Sequence, residues 1–546
     1  MSGSHQYGFD SRASNRRLRR LALASALAVV LLIPSMLLTS CNPYSKSAAP
    51  RTLNFLIESA PINLDPRFSY DAQAQNIDGL IFSSLVAHDN NMDIVPDLAE
   101  SWEMKDPLTF VFHLRPGVKF HDGRPLTSAD VKYTFDSVLN GVPSPGGGTV
   151  RSTKRSAFDY IASVDAPDPL TAVFHLKKPR ASFLWDISRP AIGIVPQGSG
   201  TDIRYHPIGS GPFRFVSMTT DEEVDLDRNP DYFGGAPAPA GSAGGPVEHI
   251  RFRVVPDAVV RALELRKGSA DVGGVNSLIP DMVVALKKEK ELTVDDEPGT
   301  ALTYVAFNLS DPILAHREVR LALDYATDRA TIIRYLLHGE ARIAVGVLPP
   351  NSWANDPNLQ PRPYDPAEAE RLLDQAGSPR GPDGIRMHLT LKTTTDEAPR
   401  LLGEALANQW RKVGIVLELR PLESATFFSD INHGSFQMYT LRWLGGNNDP
   451  SFFQFVFSSA NMPPNGYNRG HYSNPAVDAL IAQETTEMDH ERRKALDWQI
   501  QQILYNDDPY LNLWFNDTVC VYRDRVEDVR VDSSGDYDFL DNVVLR

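Results

Sequence analysis

Between residues 389 and 419 the chain writes a strand, a helix and a second strand with almost nothing between them. Leu389-Thr390-Leu391 reads as a strand, Arg400 to Val413 as a helix, and Ile415 to Leu419 as the next strand. Gly414 stands where a helix needs a left-handed residue to stop. Parallel strands need a crossover of this kind, so the segment predicts an α/β layer. Thr52 to Ile57, Leu108 to Leu114 and Val247 to Val255 read as further strands. Asp257 to Leu265, Arg317 to Leu337, Asp365 to Ala376 and Ala476 to Tyr505 read as helices. The chain finishes in strand-like Tyr510 to Phe515 and Val519 to Tyr522. At 546 residues it is too long for one core, which stops growing near 250–300 residues, so more than one lobe is expected.

The N-terminus is a separate problem. Arg12, Arg16, Arg17, Arg19 and Arg20 precede an apolar run from Leu21 to Leu38, which ends in Thr39-Ser40-Cys41. A basic region, an apolar region and small residues before a Cys make a lipoprotein signal, with residues 1–40 removed and Cys41 lipidated. An uncleaved membrane anchor is the rival reading, since the run is near spanning length. Acyl chains would tie Cys41 to a membrane through about 0.8 kcal/mol per buried CH₂. Residues 41–50 are small and polar, a flexible tether. The only other cysteine, Cys520, lies in an alternating strand pattern and reads as a buried core residue.

Charge excludes one class of partner. The formal net charge is −15, and removing residues 1–40 takes away five Arg and one Asp, leaving about −19. So acidic a body does not suit nucleic acid. Chemistry is equally quiet. There is no Gly-x-Ser-x-Gly elbow, no His-Glu-x-x-His helix and no phosphate-cradling P-loop. His113 and His121 are the most conspicuous His pair, but further donors are lacking, and His121-Asp122-Gly123 reads as turn chemistry. No cofactor, no metal and no catalytic residue is expected.

A resemblance runs from about residue 52 to the C-terminus. Pro96 to Trp102, Thr109 to Arg115, Gly117 to Asp122, Leu126 to Phe135, Ile208 to Phe213, Asn229 to Phe233, Val319 to Ala326 and Trp443 to Pro450 occur in a characteristic order. Together they resemble the periplasmic oligopeptide- and dipeptide-binding proteins of ABC importers, the family 5 extracellular solute-binding proteins. The resemblance implies an α/β, periplasmic binding protein-like fold: a two-lobed hinged clamp with a third subdomain. Lobe I would comprise residues 51–295 with an inserted subdomain at about 80–207. Lobe II would comprise 296–510, and 511–546 would return to lobe I.

It also implies partners: a peptide or small solute in the cleft, and separate ABC permease and ATPase subunits. A monomer held by its lipid, outside the cytoplasm, completes the expectation. The cleft is expected at Tyr70, Asp71, Ala72 and Gln73, and at Arg442, Trp443, Leu444, Gly445, Gly446 and Asn447. One departure matters. Peptide binders of the family commonly carry an Asp at the position of Gly446, and its carboxylate pairs with the peptide amine. Here that carboxylate is gone, and Arg442 stands where a small residue is usual. A guanidinium there suits an anionic group, unless strand alternation turns it away from the cleft. A metal complex, a sugar or an opine therefore stands beside peptides as a ligand class. An exported hydrolase and an anchored adhesion module are the alternatives outside this family.

Overall fold

In the computed structural model, the described residues are 51–89, 92–144, 146–188, 190–235, 245–445, 448–464 and 466–546. Two long antiparallel strands organise them. Leu292–Phe307 leaves lobe I for lobe II, and Tyr510–Arg523 comes back beside it. They unite one sheet in the order Phe213–Thr219, Glu223–Arg228, His249–Val254, Thr52–Ile57, Val272–Val275, Tyr510–Arg523, Leu292–Phe307, Met438–Trp443, Met387–Thr394, Ile415–Leu422. The first five strands pack into one hydrophobic core, here called lobe I, and the last three into another, here called lobe II.

Where the long strands cross between lobes, their ladder slips. Glu297 pairs with Thr518, but Ala301 pairs with Asn516, so Pro298, Gly299 and Thr300 together face Asp517. Pro298 has no N–H to give a ladder. A Cβ at Gly299 would run into the Asn516 carbonyl. A bulge of this kind breaks pairing and bends the strand, which puts the bend at the junction. The edge expected at residue 510 falls at the start of a continuous strand, and the switch of partners comes later, around Asn516–Thr518.

Lobe II repeats the strand–helix–strand pattern read from the sequence. Met387–Thr394 pairs in parallel with Ile415–Leu422, and helix Glu397–Arg411 crosses between them. Leu402, Leu406 and Trp410 are its buried face, and Gly414 takes φ +86° after it. Burying side chains of this size stabilises by about 1.5–3 kcal/mol each. Two expected helices are each broken in two. Arg317–Tyr325 and Arg329–Leu336 are separated where the Asp328 carboxylate accepts from Thr331 N at 2.9 Å. Pro475–Glu484 and His490–Asp507 are separated where Asp489 caps the second, accepting from Arg492 N at 3.0 Å. In both cases an N-cap overrides a periodic pattern that continues across it.

The third subdomain has its own core. Strands Ala99–Asp106, Thr109–Leu114, Thr171–Leu176 and Ile161–Asp168 form an antiparallel sheet. Helix Ser128–Asn140 covers it with Val131, Thr134 and Phe135 buried, and the Phe135 ring meets Phe174 edge-on at 4.9 Å. Asp130 accepts from Thr127 N at 2.8 Å, closing the helix start. His121 pins this subdomain to lobe I. Its ring lies 3.0 Å from the Gly211 carbonyl and accepts from Gly209 N at 3.3 Å, and burial pulls its pKa down to about 4. Both nitrogens are thereby used. Among the described residues, no three potential metal ligands gather in one place. Cys520 is fully buried in the lobe I core, where burial pushes its thiol pKa up. No helix among the described residues is long and apolar enough to cross a membrane, and Cys41 lies outside them.

Candidate cleft and closure seam

The lobe I wall is built where Thr52–Ile57 leaves the core. Ile57 is buried and Glu58, the next residue, is exposed. The loop that follows is tied back by Asp71, whose carboxylate accepts from Ala74 N at 2.9 Å and from Ile62 N at 3.3 Å. Asp71 is thus the N-cap of helix Ala72–Ile81, and both of its oxygens are committed to backbone. Ala72 is the exposed first residue of that helix, and Tyr70 before it is 64% exposed. Gln73 is buried and accepts a 2.8 Å hydrogen bond from the Tyr537 hydroxyl. The Tyr537 ring stacks on Phe252 at 5.7 Å, and burial, followed by the nearby Glu58 charge, pushes its pKa up.

The lobe II wall is the end of Met438–Trp443. Alternation sends Tyr439, Leu441 and Trp443 to one face, into an aromatic core. Trp443 lies parallel to Tyr304 at 6.0 Å and edge-on to Phe452 at 5.2 Å, so its ring is already engaged by its own lobe. Arg442 takes the opposite face, beside Thr303 on the neighbouring strand. It is exposed, and among the described residues no ion pair or hydrogen bond holds it. The surrounding walls still crowd it: desolvation lowers its pKa, and Glu58 of lobe I is the opposing charge that raises it. Leu444 is 64% exposed. Gly445 sits at φ +70° with open space where a Cβ would stand. Gly446 and Asn447 lie outside the described residues. Nothing in a local sequence window links Glu58 to Arg442; the only available signal was that a charged residue directly follows a buried strand.

A second contact joins the third subdomain to lobe II. Ala181 N donates to the Thr485 carbonyl at 2.9 Å, and Met488 packs on the subdomain core. Both lobe II residues lie in the helix break that the sequence reading runs through. Charges line this seam on either side. Arg180 donates to Asp186 at 2.8 Å, and the Tyr160 hydroxyl donates to Asp186 at 2.9 Å. Opposite them, Arg493 donates to Asp449 at 2.7 and 3.1 Å and to Glu484 at 2.8 Å, all buried. Arg180 and Asp449 feel each other's charge across the seam. Burial raises Asp449, but Arg493 more than offsets it, and the carboxyl ends below its ordinary range. Asp497 has no hydrogen-bond partner among the described residues: burial, with Glu484 behind it, pushes it up to about 9.

The profile of bacterial extracellular solute-binding proteins, family 5, matches residues 93–463. The chain belongs to that family. This solute-binding protein is similar to di/tripeptide-binding protein 1 of Pseudomonas aeruginosa, with 27% identity over 92% of this chain and 96% of the relative. Heme-binding protein A of Haemophilus influenzae is 28% identical over 86% of this chain and 87% of its own. Among solved structures, NikA of Brucella suis in complex with Fe(III)-EDTA superposes with a TM-score of 0.80. It is 25% identical and covers 91% of this chain and 100% of its own. DppA of Helicobacter pylori in complex with the peptide STSA gives 0.72, with 25% identity and coverage of 90% and 98%. The protein is therefore a substrate-binding protein of the ABC importer type rather than an enzyme, and its fold is the two-lobed clamp with a third subdomain.

Proposed function

We propose that this protein captures a peptide or peptide-sized solute outside the cytoplasm, anchored through a lipid on Cys41, and hands it to a membrane permease after its lobes close. The observation that carries the reading is the open surface at the lobe II rim. Beyond Trp443 the strand ends in an exposed Leu444 and a Gly445 with nothing over its Cα. An extended ligand can lie there and use main-chain hydrogen bonds, which give affinity without reading sequence. Each such bond contributes about 0.5–1.5 kcal/mol net, so several act together. Closure follows because the ligand touches both walls only when they meet, and so binds the closed state better. The relatives named for dipeptides and tripeptides support a peptide ligand. Gly in place of the amine-binding Asp at 446, with relatives named for heme and a neighbour holding Fe(III)-EDTA, keeps a non-peptide solute as the second reading.

The test is mass spectrometry of the small molecules released when the purified protein is gently denatured. A set of short peptides supports the first reading, and one non-peptide solute replaces it with the second. Membrane association is tested separately: Cys41→Ser should move the protein from the membrane fraction to the soluble fraction.

A further inference from the structure

Met488 is the one apolar residue in the turn Thr485-Thr486-Glu487-Met488-Asp489, which joins helices Pro475–Glu484 and His490–Asp507 of lobe II. Its neighbours hold the turn in shape. The Thr485 hydroxyl donates to the Ile481 carbonyl at 2.9 Å, Asp489 N donates to the Glu487 carboxylate at 2.9 Å, and Asp489 caps the second helix. Among the described residues, Met488 joins neither hydrophobic core of lobe II. It packs instead on the core of the third subdomain, which holds the fully buried Phe183. A direct backbone bond lies three residues away. The Thr485 carbonyl, at the end of its helix, has no partner within that helix, and Ala181 N of the third subdomain supplies one at 2.9 Å. Lobe II thus gives the subdomain an apolar knob, and the subdomain completes a helix end of lobe II.

The subdomain belongs mechanically to lobe I. Arg67, fully buried, donates to the carbonyls of Ser199 at 3.2 Å and Gly200 at 2.9 Å, and the Thr153 hydroxyl donates to the Phe68 carbonyl at 2.9 Å. The chain passes between this body and lobe II at the two long strands, whose ladder is broken at Pro298–Thr300. The sheet of the subdomain shares no strand with the sheet those two unite. The Met488 turn is therefore a second, separate fastening, and a swing about the junction that parts the lobes also parts this contact.

We propose that the Met488 turn is a closure latch, which holds the clamp shut through contacts made outside the cleft and independent of what the cleft contains. Withdrawing Met488 exposes an apolar side chain and the apolar surface it covered. It also hands the Thr485 carbonyl and the Ala181 amide back to water. The latch thereby raises the share of closed molecules, and a solute that binds the closed form gains apparent affinity in proportion to that share. The inference rests on the lobe closure proposed above and not on the identity of the solute.

The experiment uses the full chain with Cys41→Ser, unfolded in urea, dialysed and refolded to free it of solute. Small-angle scattering reads the separation of the lobes, and amide hydrogen exchange reads the Ala181 bond directly. Met488→Asp sets a carboxylate against an apolar core when the latch is shut and leaves it solvated when the latch is open. It should raise the radius of gyration and speed exchange in the peptide containing Ala181 about tenfold or more, with exchange in the subdomain strand Thr171–Leu176 unchanged. Met488→Ala should fall between the two, and Met488→Leu should match the parent, because a swap of similar volume preserves packing. If Met488→Asp exchanges faster at Ala181 but scatters like the parent, the contact frays without holding the lobes, and the latch is overturned. If neither reading moves, the contact is idle and the proposal falls as well. Loss of protection in Thr171–Leu176 would mean that Met488→Asp has unfolded, and Met488→Ala then decides by the same two readings. A failed latch leaves the capture reading standing, because the solutes found by mass spectrometry do not depend on Met488.

Discussion

The cleft mouth and the closure seam handle charge in opposite ways. At the seam, Arg493 lies between Asp449 and Glu484, all three buried and hydrogen-bonded. At the mouth, Glu58 and Arg442 stand exposed with no partner among the described residues. A buried pair is strongly coupled to its surroundings, and removing one member strands the other in a medium that solvates it poorly. An exposed charge contributes little to stability and remains available to a ligand. The same residue types are locked into the architecture in one place and left open to solvent in the other.

That contrast can be broken most sharply at Arg493. Replacing it with Ala strands Asp449 and Glu484, and urea unfolding should show a loss of about 3–5 kcal/mol. A loss below about 1 kcal/mol would mean that the seam charges are ordinary surface charges. Gly299→Val attacks the junction instead of the seam, because its Cβ meets the Asn516 carbonyl. It should cost about 1–3 kcal/mol, read as a lower denaturant midpoint. Asp497 gives a pH signature. Its folded-state pKa is raised to about 9, above the ordinary carboxylate value near 4. The folded state then binds the proton more tightly, so this residue's contribution to stability falls as pH rises through that window. Asp497→Asn should flatten the dependence of stability on pH between 5 and 8, and an unchanged slope would assign that dependence to other groups. Smallest of all, Glu58→Gln and Arg442→Gln should alter stability by no more than about 0.5 kcal/mol, measured in the same urea series. A larger loss would place them in the architecture after all.

Local signals carried much of the fold. The helix expected to run to Val413 stops at Arg411, and Gly414 supplies the left-handed turn into the next strand, while the buried face Val131, Thr134 and Phe135 was legible from spacing alone. The broken helices were not, because Asp328 and Asp489 sit inside apolar patterns that keep their period across the break. A cap residue in mid-pattern looks like any polar residue on a helix face. The long returning strand was read as two pieces because Asn516, Asp517 and Thr518 interrupt its apolar alternation where it changes lobes. The cleft was legible only in part. Asp71, expected at the cleft, is also the N-cap of a helix, a role its place before Ala72 already allowed. Partners such as Arg493 and Asp449 lie 44 residues apart. No spacing rule joins residues that meet only through tertiary folding.

The crossing of the long strands has a consequence for how such a molecule can be rearranged. Ala301 and Asn516 are direct ladder partners, so lobe II enters and leaves through points one strand spacing apart, about 5 Å. It is in effect a cassette spliced into a single rung of another protein. A short turn could join that rung and leave lobe I unthreaded, and a cassette from a relative could be grafted in by two neighbouring cuts. Recognition carried by lobe I and recognition carried by lobe II can therefore be inherited, or engineered, from different parents.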